Sequence, residues 1–267
     1  MHLKSHYDII IVGAGVAGAA LAHALATLRR EQPLRIALVE RSFSEPDRIV
    51  GELLQPGGVA ALETLGMSSC IENIDAIKVS GYLLVESGDS VRIPYPKNKE
   101  GRSFHHGRFV MGLRRVAVQN ANVDSIEATV SELIECPHTD QVIGVRVTSK
   151  PHAAPESSHS PSIEEAYNIY GDLVVIADGC FSNFRNVVMG EAGCKPTTKS
   201  YFVGTVLKDV VLPAPRHGTV ILPQGYGPVL LYQISEHDTR MLIDIQHPLP
   251  ADLKVSSLYS KLGPHLY

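Results

Sequence analysis

Cysteine is scarce in this sequence. Cys70, Cys136, Cys180 and Cys194 stand far apart, with no Cys-x-x-Cys spacing. That excludes a disulfide framework and a zinc site, and buried free thiols in a reducing compartment are expected. An excess of positive charge is also missing. Lys and Arg number 24 against 28 Asp and Glu, giving a net charge of -4, so no nucleic-acid partner is expected. No apolar run approaches the roughly 18 residues of a membrane span. The longest, such as Ile9–Val12 and Val229–Leu231, are strand-sized. Met1 to Asp8 is polar, so no secretory signal is expected there. A content of 44% hydrophobic and 19% charged residues excludes a disordered polymer. At 267 residues the chain is long enough for one large domain or two intimate ones.

The informative part begins at Tyr7. Tyr7–Val12 is a β-branched block bounded by glycine and predicts a buried strand. Gly13, Gly15 and Gly18 follow in Gly-x-Gly-x-x-Gly spacing, then an Ala/Leu-rich helix over Ala19–Leu28, then a second strand over Arg35–Glu40. This is a βαβ unit of the size of one nucleotide-binding half. Gly13 permits the tight turn, Gly15 admits the backbone to a pyrophosphate, and Gly18 lets helix and strand pack closely. The helix N-terminus offers unpaired N–H groups and a positive dipole end to a diphosphate. Glu40, 22 residues after Gly18, is placed to accept hydrogen bonds from ribose hydroxyls. The motif alone does not separate FAD from NAD.

Beyond it, Pro56–Leu65 predicts a helix, and Ser80–Val85 with Ser90–Pro94 a hairpin. Phe109–Asn120 predicts a helix, and Ile126–Cys136 with Gln141–Thr148 a pair of strands. Ser149–Glu165, rich in Pro and Ser, reads as a solvated loop. Asp172–Ala177 is an apolar strand, with a helix expected over Ser182–Val188. From Tyr201 to Ile245 the alternating pattern predicts a mostly antiparallel sheet, and Asp252–Leu262 is expected to start a helix. No metal site is expected. His152 and His159 repeat no ligand spacing, and the adjacent His105 and His106 point apart on an extended segment. Glu52 and Asp89 read as solvated carboxylates.

One run is called for neither by propensity nor by packing: Pro46-Asp-Arg-Ile-Val-Gly-Glu-Leu-Leu-Gln-Pro-Gly-Gly58. Together with Ile93-Pro-Tyr-Pro96, Phe104-His-His-Gly-Arg108, Ala177-Asp-Gly179, Phe202-Val-Gly204 and Leu231-Tyr-Gln-Ile-Ser235, it resembles the squalene epoxidases (squalene monooxygenases) from about Tyr7 to about Leu253. The resemblance implies FAD as cofactor, with Gly15, Val16, Glu40, Arg41, Arg48, Arg114 and Val130 at family positions that bind it. Asp178 falls where related hydroxylases meet flavin and reductant, and Tyr82 at a tyrosine important for activity. It further implies squalene and O2 as substrates, an NADPH-haemoprotein reductase as electron donor, and work at the endoplasmic reticulum membrane surface. The product would be (S)-2,3-oxidosqualene.

The implied fold is α/β. A Rossmann-like FAD-binding domain is expected over residues 1–75 and 105–195, with an interleaved β-rich substrate domain over 76–104 and 196–267. The sequence stops before the family's second nucleotide-contacting motif and apolar C-terminal helices, so the second domain is expected to be incomplete. A related flavin hydroxylase of another terpenoid or polyketide, or a truncated inactive FAD-binding remnant, stands as the alternative.

Overall fold

Strand β1 (Tyr7–Val12) leads into helix α1 (Val16–Ala26) and strand β2 (Ile36–Glu40) in the computed structural model, which describes residues 6–149, 165–190 and 197–249. Then come β3 (Leu53–Leu54), α2 (Pro56–Thr64), β4 (Ile77–Val79), β5 (Gly81–Glu86), β6 (Asp89–Pro94) and β7 (Gly101–Ser103). Helix α3 (His106–Val118) is followed by β8 (Val123–Glu127), β9 (Thr129–Glu135), β10 (Val142–Ser149) and β11 (Glu165–Ile176). A short helix α4 (Arg185–Met189) precedes β12 (Ser200–Lys208), β13 (His217–Leu222), β14 (Val229–Gln233) and β15 (Asp238–Gln246). The expected loop over Ser149–Glu165 and the expected helix over Asp252–Leu262 lie largely or wholly outside the described residues.

Contacts group the chain into two units, Met1–Glu45 with Val110–Gly193 and Pro46–Phe109 with Cys194–Tyr267. In the first, a six-stranded sheet runs β8-β2-β1-β11-β10-β9. Its β8, β2, β1 and β11 are parallel, while β11, β10 and β9 pair antiparallel. The central strands β1 and β2 read as nearly continuous apolar runs because both of their faces are covered. Ile10, Ile11, Ile36 and Leu38 are fully buried. The segment expected as one strand over Ile126–Cys136 is two, because Ala128 breaks it by donating its N–H to Glu40 O. Before the break β8 pairs with β2, and after it β9 pairs with β10.

In the second unit a six-stranded sheet runs β12-β15-β14-β13-β5-β6, antiparallel except where β13 lies parallel to β5. The hairpin of β5 and β6 closes on Ser87 and Gly88, both at positive φ, as a right-twisted two-residue turn requires. A small sheet, β3-β7-β4, holds the run after Pro46. Residues 46–75 group with this second unit, because β3 pairs with β7 and β7 with β4.

Glu52 differs from its expectation as a solvated carboxylate. It is 1% exposed and takes a bidentate pair from Arg240, Nε and Nη2 each at 2.8 Å. Tyr232 adds its hydroxyl at 3.1 Å. Burial, then the Glu52 charge, pushes the Tyr232 phenol well above its ordinary range, and the Glu52 hydrogen bond holds Arg240 up. Breaking a buried pair strands the other charge, so Glu52→Gln should cost about 3–5 kcal/mol in urea unfolding. The double replacement Glu52→Leu with Arg240→Met should recover most of that loss, and a single-variant loss below about 1 kcal/mol would contradict this reading.

Asp238 holds His105 Nε2 at 3.0 Å and Lys208 through its other oxygen. The Lys208 hydrogen bond holds its carboxyl below the ordinary 3.8, against the opposing effect of burial. A depressed pKa lends stability above the unfolded value that is lost as pH falls through the folded one. Asp238→Asn should therefore cost about 1 kcal/mol or less at pH 7 and nothing near pH 2, checked by melting curves at both.

A glycine cradle at the carboxyl ends of the parallel strands

Three adjacent parallel strands, β2, β1 and β11, end side by side, and the candidate residues of the first unit gather at those ends. Such a carboxyl edge is where open α/β sheets bind ligands. Gly13 follows β1 at φ +101°, and its N–H donates to Val39 O at 2.7 Å. A Cβ there would stand 2.5 Å from Ala177 O and 2.9 Å from the Asp178 Cα, so only glycine lets the loop lie against the end of β11. That contact brings Asp178 beside the loop. Gly18 is equally constrained, since a Cβ would reach 1.8 Å from Gly13 O.

Gly15 is the opposite case, because a Cβ there would meet nothing within 4 Å. It is the N-cap of α1 in extended conformation, with no side-chain cap and no acid in the first turn. Val16 opens the helix and is 44% exposed. Val16 and Ala17 are both exposed, and no described residue accepts their N–H groups, which is the arrangement that receives an anion.

Glu40 closes one side. Its Oε2 accepts the Ala14 N–H at 2.8 Å, tying the end of β2 to the glycine turn and leaving lone pairs for further donors. Arg114, on α3 and 6% exposed, braces the arrangement from within. Its Nε donates to Ala14 O at 2.8 Å, and its Nη1 to Ser42 O and Ser44 O at 3.1 and 3.0 Å. Its Nη2 stands 3.6 Å from Glu40, and the guanidinium lies 5.4 Å from the Phe43 ring centre. Burial lowers the Arg114 pKa, while Glu40 and Glu127 raise it. One buried cation thus clamps the glycine turn to the loop after β2.

Arg41 is exposed just beyond Glu40. Val130 lies on β9 opposite Val147 and packs on the first unit's core, two residues after Ala128, whose N–H bonds Glu40 O at the end of β2. Arg48 and Tyr82 belong to the second unit. Arg48 is exposed there. Tyr82 lies on β5, its hydroxyl accepting a hydrogen bond from Gln55 Nε2 and its ring edge-on to Tyr95 at 5.6 Å and 83°. Gln55 and Tyr95 were not singled out by sequence reasoning, although both lie inside the quoted runs. His105 and His106 reach different partners, Asp238 and Gly51 O. Among the described residues no His, Cys, Asp and Glu cluster could hold a metal, and no helix is long and apolar enough to cross a membrane.

A family model described as squalene epoxidase matches residues 170–265. Squalene epoxidase erg1 of Aspergillus fumigatus is 46% identical over 256 residues, 92% of this chain and 48% of that protein. Squalene monooxygenase of Mus musculus is 39% identical over 97% of this chain and 43% of its own length, and squalene epoxidase 1 of Arabidopsis thaliana 41% over 89% and 42%.

Among solved structures, Pseudomonas aeruginosa PqsL in complex with 2-aminobenzoylacetate superposes with a TM-score of 0.74 at 18% identity, over 96% of this chain and 66% of that one. The myxobacterial chondrochloren halogenase CndH, described as an FAD-dependent halogenase, gives 0.74 at 16%, over 97% and 58%. At such identities the likeness shows the fold, which is the α/β fold of FAD-dependent monooxygenases and halogenases. By sequence, the chain resembles the squalene epoxidases along nine-tenths of its own length and spans just under half of theirs.

Proposed function

We propose that this chain carries the FAD-binding part of a flavoprotein monooxygenase that converts squalene to (S)-2,3-oxidosqualene. The observation that carries the reading is the open cradle at Gly15, uncapped and facing free space, with Glu40 and Arg114 locking its shape. The residues present fit FAD. The α1 N-terminus would hold the diphosphate, Glu40 the adenosine ribose, and Asp178 would stand near the reactive end. Arg41, Arg48 and Val130 are assigned further contacts by resemblance. When bound, FAD supplies the redox chemistry by which O2 is activated.

The protein's own contribution is position. Arg114 fixes the loops on either side of Glu40, so the acid meets a ribose without reorganising. In the second unit, Gln55 donates to the Tyr82 oxygen, which leaves the Tyr82 proton available to another acceptor. Squalene is a hydrocarbon, so its site would be apolar with few orienting polar groups. An NADPH-haemoprotein reductase would deliver electrons, and the endoplasmic reticulum membrane surface would deliver substrate; both come from the resemblance. The chain spans about half the length of the relatives, so a remnant that binds FAD without turnover is the second reading.

Titration of the purified chain with FAD should give the absorbance of one bound flavin. Supplied with reductase, NADPH and O2, the chain should yield 2,3-oxidosqualene from squalene by mass spectrometry. Flavin binding without product would favour the remnant, and no flavin binding would contradict both readings. Gly15→Ala places a methyl where the diphosphate would lie. It should weaken FAD at least tenfold while costing under about 1 kcal/mol of stability. Unchanged FAD affinity would remove the diphosphate from this turn.

A further inference from the structure

Glu127 is an acid at the same carboxyl edge that the FAD reading leaves unused. It ends β8, and in the register of the parallel sheet it stands beside Glu40 at the end of β2. The strand order β8-β2-β1 therefore sets three features in a row. Beyond β1 lies the glycine turn with the open first turn of α1, at the end of β2 lies Glu40, and at the end of β8 lies Glu127. Each step along the row is one strand spacing, about 4.8 Å. A nucleotide is built in the same order: diphosphate, ribose, base. With the diphosphate at α1 and the ribose at Glu40, the base falls at Glu127.

Local hydrogen bonds leave this acid half used. Its Oε2 accepts the Phe43 N–H at 3.1 Å. Phe43 is in turn bracketed by Arg114, which holds the carbonyls of Ser42 and Ser44 and lies 5.4 Å from the Phe43 ring centre. The braced loop after β2 thus decides which carboxylate oxygen is occupied. Ala128, next in the chain, gives its N–H to Glu40 O at 2.9 Å, so the backbone at Glu127 is tied to the ribose acid as well. Glu127 is exposed, and no described residue donates to its Oε1. A carboxylate only accepts, so this oxygen is open to a donor from outside the chain. Adenine carries one such exocyclic donor, its 6-amino group.

We propose that Glu127 selects the base of the bound dinucleotide, its Oε1 accepting the 6-amino group of adenine while the Phe43 N–H holds its Oε2. The proposal rests on the FAD reading and adds to it a residue that distinguishes adenine from other purines. A site that accepts a donor rejects the analogue that puts an acceptor in its place, because two acceptors then face each other unpaired. Hypoxanthine, with a carbonyl oxygen where adenine has the amino group, is that analogue. Glu127→Gln should change the preference and not only the strength of binding. Its amide oxygen keeps the Phe43 N–H, which turns the amide NH2 outward as a donor suited to the hypoxanthine oxygen.

The test is titration of the full chain with FAD and with flavin hypoxanthine dinucleotide, its deaminated analogue, followed by flavin absorbance. The native chain should bind FAD at least tenfold tighter than the analogue. In Glu127→Gln the ratio of the two affinities should fall at least tenfold, the analogue gaining, with an unchanged melting temperature. A purely structural role for Glu127 would weaken both ligands alike and keep the ratio. Equal affinities in the native chain, or an unchanged ratio in the variant, would overturn the proposal while the diphosphate cradle stands. Failure of FAD itself to bind the native chain would overturn the cradle and this assignment with it.

Discussion

The first unit is organised around places where no side chain can stand. Gly13 lies so close to Ala177 and Asp178, and Gly18 so close to Gly13 O, that a methyl at either would collide with backbone. Those two contacts bring the ends of β1 and β11 and the first turn of α1 into one small volume. Gly15, with free space before it, is then left facing outward at the mouth of that volume. The same residue type does three different jobs within six positions, and the open one has meaning only because the other two are closed.

Such a turn is soft unless something holds it, and here the holding is electrostatic. Glu40 reaches back to the Ala14 N–H while Arg114, its ion-pair partner, reaches the Ala14 carbonyl. Ala14 is thus held through the peptide units on both of its sides. The second unit uses the same device, with Arg240, Glu52 and Tyr232 tying the Gly51–Gly58 run to β14 and β15. In each case a buried cation meets a carboxylate and several hydrogen-bond acceptors, which favours one geometry.

Much of the first unit was legible in the sequence because its signals are local. The apolar block Tyr7–Val12, the glycine spacing and the acid after Ile-Ala-Leu-Val each lie within one element. What stayed hidden depends on partners far along the chain. Glu52 looked solvated because Arg240 is 188 residues away. The two-residue β3 and three-residue β4 and β7 are too short to show any period. The break between β8 and β9 turns on a single N–H given to Glu40.

The central claim is that the exposed first turn of α1 receives the diphosphate of FAD. Amide hydrogen exchange at Val16 and Ala17, followed with and without FAD, tests it most directly. These N–H groups have no protein acceptor among the described residues, so they should exchange fast in the free chain and slow at least tenfold when FAD is present. Protection that appears elsewhere while Val16 and Ala17 keep their free-chain rates would contradict the account.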